Sequence, residues 1–204
     1  MGGDHAPRAV VEGVALAIQD GIVTPTDLCL IGQQDAIGAL LDEHDLGTVP
    51  VVPASETIEM DESPAAVRTK RDSSIVVGTR TVAEGQADAF LSAGNTGAVV
   101  AASSLVLGRL PGVARPGIAV PMPTRRGPAV VIAVGANIYC KPAHMLQYAV
   151  MASEYSKAVF ERPEPRVGLL NIGEEEGKGN PLIQAVHALL QDQPGLNYAG
   201  FVEG

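Results

Sequence analysis

The chain has 204 residues, 46% hydrophobic and 18% charged, which excludes a disordered or fibrous protein and leaves room for a buried core. Its net charge of −9, from 14 Lys+Arg against 23 Asp+Glu, argues against a nucleic-acid binder. Aromatics at 3% with no Trp leave no stacking platform for bases; an apolar content of mostly Ala, Val, Leu and Ile favours helices on a parallel sheet.

Gly2-Gly3-Asp4-His5-Ala6-Pro7 reads as a glycine turn entering a helix, with Pro7 near its first position and Val10, Val11, Val14 and Leu16 as apolar marks. Residues 1–5 lack a basic region followed by an apolar core, so no signal peptide is expected. Residues 27–31 predict a strand ending at Gly32, residues 35–41 a helix and residues 49–53 a second strand. Residues 55–74 break this rhythm. Glu56, Glu59, Asp61 and Glu62 precede Arg68, Lys70, Arg71 and Asp72, with Pro64 between them. A polar excursion of that length reads as a functional loop or lid, or equally as a solvated helix over 64–70.

Residues 75–84 predict a helix ended by Gly85. The stretch 87–98 is then the centre of the pattern: a short apolar strand, a Gly94-Asn95-Thr96-Gly97 turn, and a helix over 98–107. Such a turn can aim the free N–H groups of a helix start at an anion, with glycines letting the backbone close on it. Asn95 or Thr96 can equally be a plain N-cap. Residues 117–123 and 129–134 predict a hairpin, Gly135-Ala136-Asn137 repeats the turn chemistry, and 142–160 forms a long helix with Met145, Leu146, Tyr148, Met151 and Tyr155 on it. A strand over 167–172, a turn over 174–179, a helix over 181–190 and a strand over 198–202 follow. This alternation predicts one α/β domain over 1–204 with a mainly parallel sheet and helices on both faces.

Four glycine turns, at Gly2, Gly94, Gly135 and Gly173–Gly179, fall where ligands bind in such sheets. None has dinucleotide or P-loop spacing, so the anion is small or shared between turns. Lys178 can neutralise a phosphate or a developing oxyanion, or merely balance Glu174, Glu175 and Glu176. His5 is a candidate acid/base group or a polar cap. Cys140, Lys141 and His144 could make an activated thiol, although lone cysteines are mostly small core residues and the set is no zinc site. Cys29 and Cys140, far apart, are expected to be reduced thiols in a cytoplasm.

Met1-Gly2-Gly3-Asp4-His5-Ala6-Pro7, Ile58-Glu59-Met60-Asp61-Glu62-Ser63-Pro64, Ser92-Ala93-Gly94-Asn95-Thr96-Gly97-Ala98, Gly135-Ala136-Asn137 and Asn171-Ile172-Gly173-Glu174-Glu175-Glu176 occur in that order. Together they resemble the PlsX family of phosphate acyltransferases over essentially the whole chain. The resemblance implies a fold similar to the isocitrate dehydrogenase and phosphotransacetylase group, a homodimer, and formation of acyl phosphate from acyl carrier protein thioesters and inorganic phosphate in bacterial phospholipid synthesis. It also implies a strand before the Met-Gly-Gly-Asp motif and a continuation beyond Val-Glu-Gly, so that the chain reads as a fragment. Where the family usually carries acidic residues around the Gly135 turn, this chain has Ala133 and Tyr139.

Such chemistry needs an anion site, oxyanion stabilisation and an apolar slot, with no metal or other cofactor. The candidates are Lys178, His5 and Asn137 for catalysis, and Ser92, Gly94, Asn95, Thr96 and Gly97 for phosphate. The helix from Pro142 is the candidate slot. Because acyl carrier proteins are acidic, docking is expected on a local basic face, for which Arg109, Arg115, Arg125 and Arg126 are the candidates. Membrane association is expected to be peripheral at most. Two other readings stay open: a phosphotransacetylase-like enzyme acting on acyl-coenzyme A, and a non-catalytic binding or dimerisation module.

Overall fold

The computed structural model describes residues 1–133, 139–175 and 177–203. The chain divides into two compact units, Met1–Arg109 and Leu110–Gly204.

The first unit runs α1 (Arg8–Gln19), β1 (Leu30–Gly32), α2 (Gln34–Glu43), β2 (Val51–Pro53), α3 (Ser74–Ala83) and α4 (Thr96–Ala102). Strands β1 and β2 pair in parallel, Leu30 opposite Val51 and Gly32 opposite Pro53, with α2 as the crossover that parallel pairing requires. Val11, Val14 and Ile18 recur at helical spacing on α1 and pack on Leu30, Ile37, Leu40, Leu41 and Val49. Both strands start later than the apolar runs suggest, for a local reason. The Asp27 carboxylate accepts from the Thr24 N–H and hydroxyl, both at 2.8 Å, and Val49 N–H donates to Leu46 O at 2.9 Å. Each turn holds its residue out of the ladder.

A second cluster joins Ile58 and Val67 to Ile75 and Val76 of α3 and to Ala98 and Ala102 of α4. Ala98 and Ala102 lie one turn apart on the same face and are fully buried. Helix α4 begins two residues before the expected start, and beyond Ala102 it loosens into a π turn over Ser103–Leu107 that ends at Gly108, φ +81°.

Residues 87–93 form no strand. Phe90 instead lies against Gly78 of α3, in a notch that any Cβ at position 78 would fill. Leu91 is 96% exposed, with no strand beside it. An apolar run is a strand only when a ladder partner satisfies its backbone, and this run takes a helix contact instead.

The second unit contains β3 (Ala119–Met122), β4 (Ala129–Ile132), α5 (Pro142–Phe160), β5 (Val167–Leu170), α6 (Pro181–Gln191) and β6 (Tyr198–Val202). The expected hairpin is present: Ala119 faces Ile132 and Met122 faces Ala129 in antiparallel register. Its turn closes through the Thr124 hydroxyl, which donates to Gly127 O at 2.6 Å. Strands β5 and β6 pair in parallel, and α6 packs Val186 and Leu190 against Leu169 and Phe201.

The start of α5 belongs to this core. Met145 and Leu146 pack on it, and Tyr148, 2% exposed, donates its hydroxyl to Pro116 O at 3.2 Å. Gly117 admits the Tyr148 ring, since a Cβ there would lie 2.9 Å from it. Burial raises the Tyr148 phenol above its ordinary range. The described strands thus form three two-stranded pairs, two parallel and one antiparallel, in a mixed α/β chain. No helix among the described residues is long and apolar enough to cross a membrane.

Candidate functional site

Three of the sequence motifs converge in the first unit. Gly2 has φ +85°, and a Cβ there would lie 2.5 Å from Ile58 O. A Cβ on Gly3 would lie 3.2 Å from Ala93 O. Two glycines in succession therefore let the opening turn nest between the polar excursion and the Ser92–Gly97 turn. His5, exposed on this turn, accepts the Ala9 N–H on its carbonyl at 3.0 Å.

Asn95 joins these pieces. Its Oδ1 accepts the Ala98 N–H at 2.9 Å, which makes Asn95 the N-cap of α4. Its Nδ2 donates to Glu59 O at 3.0 Å, Met60 O at 3.3 Å and Glu62 O at 2.8 Å. The residue is 6% exposed. One side chain thus caps the helix and clasps the acidic loop onto it. Gly97 faces the same loop, where a Cβ would meet Pro64 Cγ at 2.6 Å. Ser92 Oγ accepts the Gly94 N–H at 3.2 Å, and Thr96 is exposed. Among the described residues, no protein acceptor meets the N–H groups of Thr96 and Gly97, the first two of α4.

The acidic loop carries its own latch. Lys70 Nζ donates to Glu62 Oε2 at 2.6 Å and to Thr57 O at 2.7 Å, while the same Glu62 oxygen accepts the Glu59 N–H at 2.7 Å. The Lys70 hydrogen bond, then the Glu59 N–H, holds the Glu62 carboxyl below its ordinary range. At the base of the excursion, Asp72 Oδ2 accepts the Ser55 hydroxyl at 2.5 Å and N–H at 2.8 Å. The Asp72 N–H donates to Glu56 Oε2 at 2.9 Å. The excursion is therefore a loop pinned at its base and at its tip. Of the expected helix over 64–70, only a 3₁₀ turn, Pro64–Arg68, forms.

The second unit repeats the strand–turn–helix grammar after β5, with a different outcome. Asn171 N–H donates to Val202 O at 2.9 Å and its amide to Gly173 O at 3.1 Å. Asn180 caps α6 by accepting the Ile183 N–H at 3.0 Å. Lys178 is exposed, and its carbonyl accepts from the Gln184 amide. Among the described residues no carboxylate pairs with its ammonium. Leu170, Asn171, Ile172, Gly179, Asn180 and Ile183 line an open cleft of about 460 Å³ at this turn.

The remaining candidates fall apart from these turns. Asn137, with the rest of the Gly135 turn, lies outside the described residues, as does Glu176. His144 Nδ1 accepts the Lys141 N–H at 3.3 Å, so its ring serves the start of α5. Arg109 ends the first unit, whereas Arg115, Arg125 and Arg126 belong to the second. Arg115 donates to Tyr139 O at 3.1 Å. Two features were not anticipated from sequence. One is the triple carbonyl clasp of Asn95; the other is His187, whose Nδ1 lies 2.7 Å from the Tyr198 hydroxyl and whose ring stacks on Phe201. The acid-then-base order of the excursion was the available signal for the Glu62–Lys70 pair; nothing in sequence marks His187.

The chain is thus a mixed α/β protein whose glycine turns, capped by Asn95 and Asn180, open helices. It belongs to the fatty acid synthesis protein family, whose family model matches residues 1–204. It is 50% identical over 206 residues to the phosphate acyltransferase of Desulfitobacterium hafniense (strain DSM 10664 / DCB-2), covering 100% of this chain and 60% of that protein. The phosphate acyltransferases of Heliobacterium modesticaldum and Salinibacter ruber are 49% and 46% identical over 208 residues, again covering all of this chain and 61% of theirs. The chain spans about three fifths of the length of the curated relatives it matches.

Proposed function

We propose that this chain is part of a phosphate acyltransferase that forms acyl phosphate from an acyl carrier protein thioester and inorganic phosphate, for phospholipid synthesis. The observation that carries the reading is similarity along the entire chain to proteins that bear that name. In the reaction a phosphate oxygen attacks the thioester carbonyl carbon, the C–S bond breaks, and the thiol leaves with a proton. The protein has to hold one anion and stabilise another as it forms.

In this reading the phosphate lies at the Ser92–Gly97 turn. Asn95 and Gly97 shape the turn from within, since the Asn95 amide is engaged with loop carbonyls and Gly97 with Pro64. The groups left to meet phosphate are the Ser92 hydroxyl and the N–H groups of Thr96 and Gly97. Lys178 supplies charge to the developing oxyanion, with His5 and Asn137 as proton-handling and positioning groups. No cofactor is invoked. The enzyme is further read as a cytoplasmic homodimer, one α/β domain akin to the isocitrate dehydrogenase and phosphotransacetylase group.

The experiment is calorimetric titration of the chain with inorganic phosphate, paired with an assay of acyl phosphate formation. Lys178→Ala is the informative variant because its side chain is exposed and its loss leaves the fold in place. It should lower turnover by about 10²-fold. Turnover is read in the full-length enzyme that contains this chain: unchanged turnover there removes Lys178 from the mechanism, and absence of acyl phosphate formation by the full-length wild type removes the reading itself.

A further inference from the structure

The charged excursion has a side that the Asn95 clasp does not use. Between positions 68 and 80 the sequence places four cations, Arg68, Lys70, Arg71 and Arg80, beside a single carboxylate, Asp72. Lys70 is turned inward onto Glu62 and Thr57, and Asp72 is bound to Ser55. Arg68, Arg71 and Arg80 are exposed and, among the described residues, none is within ion-pair distance of a carboxylate, although the charge of Arg80, after the Ser55 hydrogen bonds, helps to hold the Asp72 carboxyl below its ordinary range. Two of them are ordered by backbone contacts: Arg71 Nε donates to Arg68 O at 3.3 Å, and Arg80 Nη2 donates to Arg71 O at 3.4 Å. Each contact takes one N–H of a five-donor fork and leaves the rest for another acceptor. On a chain of net charge −9, Arg68 and Arg71 at the C-terminal end of the acidic loop and Arg80 on α3 make a local cluster of cations beside the loop whose tip covers the start of α4.

We propose that Arg68, Arg71 and Arg80 form a docking face for the acidic carrier protein, bringing its thioester to the Asn95 turn. The proposal rests on the carrier-dependent reaction given above and moves the docking site to the first unit. Guanidinium forks suit a row of carboxylates, which they bind bidentately. A membrane surface fits less well, because interfacial sites pair cations with several inserted bulky apolar side chains, whereas Thr69 and Asp72 beside the arginines are polar and Met60 is the one large hydrophobic that this loop exposes. Nucleic acid is opposed by the overall charge.

The test is stopped-flow association of the 204-residue chain with purified, fluorescently labelled acyl carrier protein at about 0.01 M and about 1 M salt, where the Debye length is about 30 Å and about 3 Å. The variant Arg68→Glu/Arg71→Glu/Arg80→Glu should associate at least about tenfold more slowly at low salt, with the difference vanishing at high salt. A triple glutamine variant keeps the test open should charge reversal unfold the loop, and it should show a smaller loss in the same direction. Wild-type rates in both variants overturn the assignment. So does a loss confined to Arg125→Glu/Arg126→Glu, which returns docking to the hairpin. If the wild-type chain captures vesicles of phosphatidylglycerol but never the carrier, this face is not a carrier site. Failure to capture either at any salt overturns the carrier reading together with this face.

Discussion

Two glycine turns in this molecule are written in the same grammar and end in opposite states. Each stands before a helix, and each has an asparagine whose side chain caps that helix, Asn95 for α4 and Asn180 for α6. In the first, the chain folds back on the turn: three loop carbonyls take the Asn95 amide, Pro64 takes the face of Gly97, and Glu62 with Lys70 holds the loop down. In the second, Lys178 projects into solvent beside an open cleft. The same local motif is therefore a clasp where a neighbouring segment supplies acceptors for the capping amide, and beside an open cleft it leaves an exposed lysine with no carboxylate partner among the described residues. Helix-start donors and cap residues specify what a turn can bind, and the surroundings decide whether the protein or a ligand binds it.

The strongest way to break this comparison is Asn95→Asp. Aspartate keeps the capping oxygen, so a residue that only capped would tolerate the change nearly unharmed. A clasp would not, because the three carbonyls lose their donor and face a buried carboxylate. The expected loss is about 3 kcal/mol or more, read from denaturant midpoints. A loss below about 0.5 kcal/mol would reduce Asn95 to a cap.

A smaller effect separates the latch from the clasp. The folded-state pKa of Glu62 is lowered, so its contribution is present above the ordinary glutamate value of about 4.3 and fades as pH falls through the folded value. Glu62→Gln should therefore be less stable than wild type at neutral pH, with the gap closing as both are acidified below about pH 4. A gap independent of pH would mean that the Lys70–Glu62 contact adds no pH-linked stability.

The smallest expected effect is at the other turn. Lys178→Ala should change stability by less than about 0.5 kcal/mol, as for other exposed side chains in no ion pair among the described residues. A larger loss in thermal or denaturant unfolding would show that the Lys178 side chain is also held by its own chain, and the contrast would disappear.

Much of the architecture was legible because it depends on local patterns. Helix α5 and strand β6 have the bounds that periodicity suggests, and the 119–132 hairpin follows from two apolar runs around a Gly-Pro turn. The Asn95 cap was one of two readings of its turn, since a small polar residue before an apolar run satisfies the first helical N–H groups whatever the fold. The candidate site was legible as a set of turns but not as an arrangement. Residues 87–93 have strand composition and form none, because Phe90 found Gly78 and no strand came alongside.

What the sequence by itself determined is where helices start, where chain direction changes, and which residues carry charge or free donors. These follow from steric and hydrogen-bonding preferences within a few residues. Only the tertiary structure decided that Asn95 reaches carbonyls 33–36 positions away, that Lys70 turns inward while Arg68, Arg71 and Arg80 stay outside, and that Met145 and Leu146 of α5 pack on the core of β5, β6 and α6. The physical reason is that a donor's partner is set by which segment packs beside it. That depends on burying the whole set of apolar faces at once, and no window of the sequence contains it.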